Sequence, residues 1–321
     1  MTADKSILTF AVASFLVTLT LAFTPLLGTV HTGDYLTAPN GALLCPLPSE
    51  GFSYKPVAGT GPSSWAEISP CCGGSRQSPR NLAVIHGVGK CVEQTTRLHY
   101  NSTGQIEGHV FNNGKDPTIH FSSDATAYLF GAPGTHGAYV LYNIHVHFNS
   151  LLGRGSEHAI SGRFFDGEVH LVHYKAEYGS VQEAVLHPDG LVVVALFLEE
   201  VNDNRGNGEI ISLIDSLANL KGIGEEHQIP HHVNLAQLLP TSQDYYTYDG
   251  SLTTPPCSES VRWIVVRNPV YIHTLELQIL TNLESADGGL ISDTSNDRPL
   301  QTGDTEIQRN FACSHADLTL G

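Results

Sequence analysis

The amino-acid sequence predicts a mainly β protein, one large sheet carrying a few short peripheral helices. Two apolar runs, GLVVVALFLEE (Gly190 to Glu200) and VRWIVVRNP (Val261 to Pro269), have strand length and are apolar enough to be buried on both faces. Segments of mixed alternation such as NIHVHFNS and GEVHLVHYK fit further strands, with clusters of Gly, Asn, Asp and Pro between them as turns. Only EIISLIDSLANL reads clearly as a helix, with Ile210, Leu213, Ile214, Leu217 and Leu220 at helical spacing before Gly222.

Taken in order, the chain opens on an apolar stretch. Ser6 to Val30 contains no charged residue and is long enough to span a bilayer, so residues 1–30 read as a signal peptide or a signal-anchor outside the fold. Ala22 and Thr24 are placed for small-x-small cleavage, but Pro25 would follow the cut, so secretion and anchoring both stay open. Residues 31–49, rich in Gly, Thr and Pro, read as a linker; a single folded domain is expected over 50–313 and a tail over 314–321. Hydrophobic residues at 41% and charged residues at 15% are enough for a packed core. The 32 acidic and 16 basic residues, a formal charge of -16, argue against a nucleic-acid partner and against adsorption to anionic membranes. Membrane contact is expected only through the N-terminal segment.

Entry into the secretory route places Cys45, Cys71, Cys72, Cys91, Cys257 and Cys313 in an oxidising compartment. None has C-x-x-C spacing, and six cysteines allow about 15 complete pairings. The sequon Asn101-Ser102-Thr103 lies in a polar stretch and is an expected glycan site.

The chemistry starts at His145 and His147. On a strand they share one face, about 7 Å apart, while Ile144, Val146 and Phe148 take the other. Alone, the pair reads most simply as hydrogen-bonded wall histidines. A third imidazole changes that. In GEVHLVHYK, Glu168, His170, Val172 and Tyr174 share a face and Val169, Leu171 and His173 share the other. Glu168 favours His170 as the third member, because metal-bound histidines commonly donate their free ring N–H to a carboxylate; His173 reads as a structural histidine. Three neutral imidazoles leave a fourth tetrahedral position for water, the arrangement of a catalytic Zn2+ site, where the pKa of bound water falls to about 7.

The order of further motifs adds a resemblance. CGGSRQSPRNL (Cys72 to Leu82), NNGK (Asn112 to Lys115), HVHF (His145 to Phe148), GSEHAISG (Gly155 to Gly162), EVHLVHY (Glu168 to Tyr174), YDGSLTTPPCSE (Tyr248 to Glu259) and Arg298-Pro299 follow one another as in the α-class carbonic anhydrases, which the chain strongly resembles from about Gly51 to Phe311. The resemblance implies a twisted, mostly antiparallel central sheet and reversible hydration of carbon dioxide to bicarbonate. It also implies zinc on His145, His147 and His170. Thr253 resembles the family's gatekeeper threonine and Glu157 its carboxylate partner. Val172, Val193, Leu252, Val261 and Trp263 match the apolar wall beside the zinc, Thr254 the second threonine that contacts bicarbonate, and Tyr54 the tyrosine that orders active-site water. In extracellular members a disulfide joins the GG loop to the cysteine after TTPP, which makes Cys72–Cys257 the leading pair, with Cys71 as its rival. Cys45–Cys91 is the remaining expectation, and Cys313 has no assigned partner.

Two departures stand out. Lys115 occupies the usual proton-shuttle histidine position, and a lysine, with an ordinary pKa near 10.4, is a poor relay at neutral pH. His120 or added buffer is the expected substitute. Asn143 stands where many relatives have a glutamine supporting the first ligand, so its hold on His145 is expected to be weaker. The competing reading is a non-catalytic extracellular binding or mineral-matrix protein that keeps the fold and uses its acidic surface. The complete histidine set with Thr253 and Glu157 favours the enzyme. A general zinc hydrolase is less favoured, since no H-E-x-x-H occurs.

Overall fold

Period-two burial organises the molecule. The computed structural model describes residues 45, 51–57, 59–82, 91–92, 97–122, 125–220 and 222–313, all within one unit, Tyr35–Gly321. The expected signal segment, the linker apart from Cys45, and the tail lie outside the described residues. Among those described, no helix is long and apolar enough to cross a membrane.

The strands are β1 (Asn81–Leu82), β2 (His99–Ser102), β3 (Gly108–Asn112), β4 (Pro117–Phe121), β5 (Ala127–Phe130), β6 (Tyr139–Phe148), β7 (Ala159–Ile160), β8 (Gly167–Lys175), β9 (Leu191–Glu200), β10 (Glu226–Gln228), β11 (Tyr245–Gly250), β12 (Val261–Ile272) and β13 (Gln308–Arg309). Helices are short and peripheral: α1 (Trp65–Ile68), α2 (Val181–Ala184), α3 (Gly208–Asp215), α4 (Leu235–Leu238) and α5 (Thr274–Thr281). Eleven of the strands form one sheet in the order β10-β3-β4-β6-β8-β9-β12-β11-β13, with β5 pairing both β6 and β2. Every ladder in it is antiparallel except β9 with β12. The expected mainly β, mostly antiparallel architecture is therefore the observed one.

The two apolar runs occupy the middle. β9 lies between β8 and β12, and its residues from Leu191 to Leu198 are all buried. Val192, Val194, Leu196 and Leu198 enter one core with Ile144, Val146, Val169, Leu171 and the apolar face of α3. Leu191, Val193, Ala195 and Phe197 enter a second with Val172, Val261 and Trp263. β12 runs past the expected end at Pro269 to Ile272, and its register with β9 shifts between Val266 and Val270. Pro269 has no N–H to give the ladder, so an irregularity there is the physical response. The helix expected through Leu220 stops as regular α3 at Asp215; Ser216 Oγ donates to the Ser212 carbonyl at 2.8 Å, and Leu217 and Leu220 are buried from the turns that follow.

All six cysteines are paired: Cys45–Cys71, Cys72–Cys257 and Cys91–Cys313. The expected Cys45–Cys91 pairing is thereby corrected, and Cys71 belongs to Cys45 rather than competing for Cys257. The reason lies at the far edge of the sheet. Cys91 bridges to Arg309 and Val92 N–H donates to the Arg309 carbonyl at 2.9 Å, so Cys91 is delivered to the C-terminal segment that carries Cys313.

His173 sits on the face of β8 opposite His170. Its Nδ1–H donates to the Val192 carbonyl at 3.1 Å and its Nε2 accepts from the Tyr100 hydroxyl at 2.9 Å, which fixes a neutral ring. Burial pushes its pKa down from 6.5 to about 4. A depressed folded-state value means that the unfolded chain binds the proton first, so this contribution to stability is present above pH 6.5 and is lost as pH falls towards 4. In chemical denaturation between pH 7 and 4, wild type is expected to lose up to roughly 3 kcal/mol relative to His173→Gln, which cannot titrate. Parallel pH profiles for the two proteins would contradict the assignment.

Candidate metal centre

β6 and β8 are antiparallel neighbours with His145 opposite His170 and His147 opposite Glu168. The face shared by positions i and i+2 brings the three imidazoles together: the ligand atoms of His145, His147 and His170 all lie within 4.8 Å of one another. All three rings are tied from behind. His147 Nδ1–H donates to the Asn296 carbonyl at 2.6 Å, and His170 Nε2–H donates to Glu168 Oε1 at 2.7 Å. His145 Nδ1 reaches Asn143 Oδ1 only at 3.4 Å, a long contact as the shorter amide leads one to expect.

With protons on those nitrogens, the opposite ones carry lone pairs into the same space. His145 Nε2 and His170 Nδ1 face each other at 3.2 Å, and buried His147 Nε2 has no hydrogen-bond partner. Two acceptors that close, beside an orphaned third, call for a cation. Three neutral imidazoles are a donor set that suits zinc. Burial pushes His145 down to about 3 and His170 to about 4, so both rings stay neutral and ready to ligate. For His147 the burial penalty is outweighed by Glu157 and Asp116, which raise its pKa.

Behind the triad stands a buried carboxylate network. Glu168 Oε1 also receives His158 Nδ1 at 2.7 Å, and Oε2 accepts the His158 backbone N–H at 2.8 Å. Burial would raise Glu168, but His158 and His170 hold it well below the ordinary carboxylate range. His158 Nε2 lies 2.7 Å from the Tyr248 hydroxyl, which donates to Ser78 Oγ at 2.9 Å. Glu157 Oε1 accepts the Arg298 backbone N–H at 2.9 Å, and Oε2 stands 3.5 Å from His147 Nε2. Burial pushes Glu157 up to about 7 against the opposing pull of His147, the Arg298 N–H and the Thr253 hydroxyl bond.

Val172, Val193, Val261 and Trp263 form one buried cluster, with Leu252 packed against it. Thr253 is buried and Thr254 partly exposed in the same loop, where the Thr254 carbonyl accepts the Cys257 N–H at 2.8 Å. Cys257 is bonded to Cys72 and packs with Tyr54 and Trp65 beneath that loop. The buried Tyr54 hydroxyl has no protein hydrogen-bond partner. Lys115 is drawn elsewhere, its Nζ donating to the Phe52 carbonyl and lying 3.9 Å from the Phe52 ring centroid. Burial lowers its pKa, with Asp287 and Asp116 opposing. Asn101 is exposed on β2.

The model of the eukaryotic-type carbonic anhydrase family matches residues 60–310. The chain belongs to this family. Carbonic anhydrase 7 of Mus musculus is 37% identical over 245 residues, which span 75% of this chain and 90% of the relative. Carbonic anhydrase 7 of Homo sapiens is 37% identical over 245 residues, with the same coverage.

Within this carbonic anhydrase chain, three contributors escaped the sequence reading. His158 stood inside GSEHAISG without an assigned role. Asn296 acts through its backbone carbonyl, while its side chain accepts the Phe148 N–H at 2.8 Å and donates to the Val146 carbonyl at 2.9 Å. Asp116 had only its place beside Lys115 to mark it. Glu168→Gln is expected to lower zinc affinity about 10–100-fold in chelator competition, because the group that holds both His170 and His158 loses its charge. Unchanged affinity would separate Glu168 from the metal centre.

Proposed function

We propose that the protein is a zinc-dependent carbonic anhydrase that interconverts carbon dioxide and bicarbonate with release of a proton. The observation that carries this reading is the convergence of three imidazole nitrogens beside an apolar wall. Zinc held by His145, His147 and His170 would supply a Lewis acid that makes a strong nucleophile of water near neutral pH. The chain's own groups then do the steering. Thr253 donates its O–H in a hydrogen bond to Glu157, so its oxygen is left only to accept, and it would orient the nucleophile with a lone pair towards the substrate. Val172, Val193, Leu252, Val261 and Trp263 receive an uncharged molecule that needs no ionic anchor, and they exclude water from it. Thr254, partly exposed next to Thr253, is placed to contact bicarbonate, and the unpartnered Tyr54 hydroxyl to hold a water.

Proton export is the weak step in this reading. Lys115 is held at the Phe52 carbonyl, away from a relay role. His120 is an exposed histidine in register with Asn143, one strand from the triad, and takes that role here. The six paired cysteines and the apolar N-terminal segment support the secretory route, as a secreted, lumenal or membrane-anchored protein. Asn101 is proposed as its glycan site.

Stopped-flow carbon dioxide hydration on the zinc-loaded protein tests the activity. Thr253→Ala should keep its zinc and lose about 100-fold in kcat/KM, the cost of a misdirected nucleophile. His147→Ala should lose the metal. Full zinc occupancy without hydration would overturn the reading in favour of a non-catalytic binding protein. For the shuttle, kcat is expected to rise with buffer concentration and to fall in His120→Ala at low buffer; a fast, buffer-independent wild type would remove His120 from the path.

A further inference from the structure

The turn that carries Lys115 away from the cleft also fixes its neighbour. Gly114 has φ +80, and a Cβ there would meet Ala286 Cβ at 2.7 Å, so the turn admits little but glycine. Asn113 Oδ1 accepts the backbone N–H of Asp116 at 2.9 Å, while Asn113 Nδ2 donates to Asp116 Oδ1 at 2.5 Å and to Thr118 Oγ1 at 3.3 Å. One amide group thus holds the Asp116 carboxylate beside the Thr118 hydroxyl. Thr118 is buried on β4 directly opposite His145. Two residues before Thr118, the Asp116 charge opposes the burial that lowers His145 and adds to the upward pull of Glu157 on His147 and of burial and Glu157 on the Tyr54 hydroxyl. It is a partly buried negative charge beside the triad that neither ligates nor supports a ligand.

We propose that Asp116 is a specificity-determining residue of the cleft, a clamped carboxylate that repels anions from the metal position while leaving uncharged carbon dioxide unaffected. The inference rests on the carbonic anhydrase reading above. At a partly buried position, one charge a few side chains from another changes binding by several-fold. The ligand class is small inorganic anions and the product bicarbonate, whose departure the same repulsion favours.

The test uses the full chain with cobalt(II) in the metal position, so that thiocyanate binding is read from the visible spectrum without turnover. Asp116→Asn is expected to tighten thiocyanate binding about three- to tenfold, with the gap shrinking as sodium sulfate is added. Asp116→Glu should restore most of the weak binding, and KM for carbon dioxide should not move. Glu226→Gln, at the exposed sheet edge, should leave the thiocyanate Kd at the wild-type value. An unchanged Kd in Asp116→Asn at full metal occupancy, or equal tightening in Glu226→Gln, would overturn the inference. A wild-type chain that takes up neither cobalt nor zinc would instead overturn the carbonic anhydrase reading itself.

Discussion

The buried carboxylate of Glu168 is the constraint on which the rest of the site depends. Fully enclosed in β8, it survives as an anion because His170 and His158 surround it with N–H donors. That requirement orients His170: with Nε2–H spent on the carboxylate, Nδ1 is left facing His145. It also places His158 and, through it, Tyr248 and Ser78, so that four segments distant in sequence are locked to one charge. Removing a partner would leave a buried charge unpaired, a cost well above that of an ordinary hydrogen bond.

The sheet turns this local demand into a cleft. Each central strand has one set of side chains in the core shared with α3 and the other set towards the triad, so β6 supplies Ile144 and Val146 to packing and His145 and His147 to the candidate metal centre. Slipping β6 by one residue would exchange those sets. The register is protected because Leu171, Val194 and Ile264 form a continuous buried layer behind it. Core packing and ligand geometry are therefore set by the same register.

Much of this was legible because strand alternation is a strong signal. The H-x-H pair and the Glu168–His170 face follow from period two, the doubly buried runs from unbroken apolar stretches of strand length, and the motif order pointed to Thr253, Glu157 and the apolar cluster. What escaped has physical reasons. A backbone carbonyl such as that of Asn296 leaves no mark in residue type. The partners of Cys45, Cys91 and Cys313 depend on where chain ends return to the body, which spacing does not encode. At the end of α3 the Ser212 carbonyl accepts both the N–H and the hydroxyl of Ser216, a local arrangement that apolar spacing cannot show.

Arg298 shows how the halves of the site are made mechanically one. Its backbone N–H holds Glu157, while its guanidinium donates to Gln77 Oε1 and the Ser78 carbonyl at 2.8 and 2.9 Å and to the Cys72 carbonyl at 3.0 Å. Cys72 is bonded to Cys257 in the loop bearing Thr253, and Gln77 Nε2 donates to the Cys257 carbonyl at 3.3 Å. Burial pushes the guanidinium down to about 10, yet it remains charged at neutral pH and binds these carbonyls more strongly than a neutral donor would. Glu157 and the loop that presents Thr253 are thus anchored by one residue and one disulfide. A shift of one against the other would have to break a buried charge-assisted hydrogen bond or the disulfide, so the two are held in fixed register.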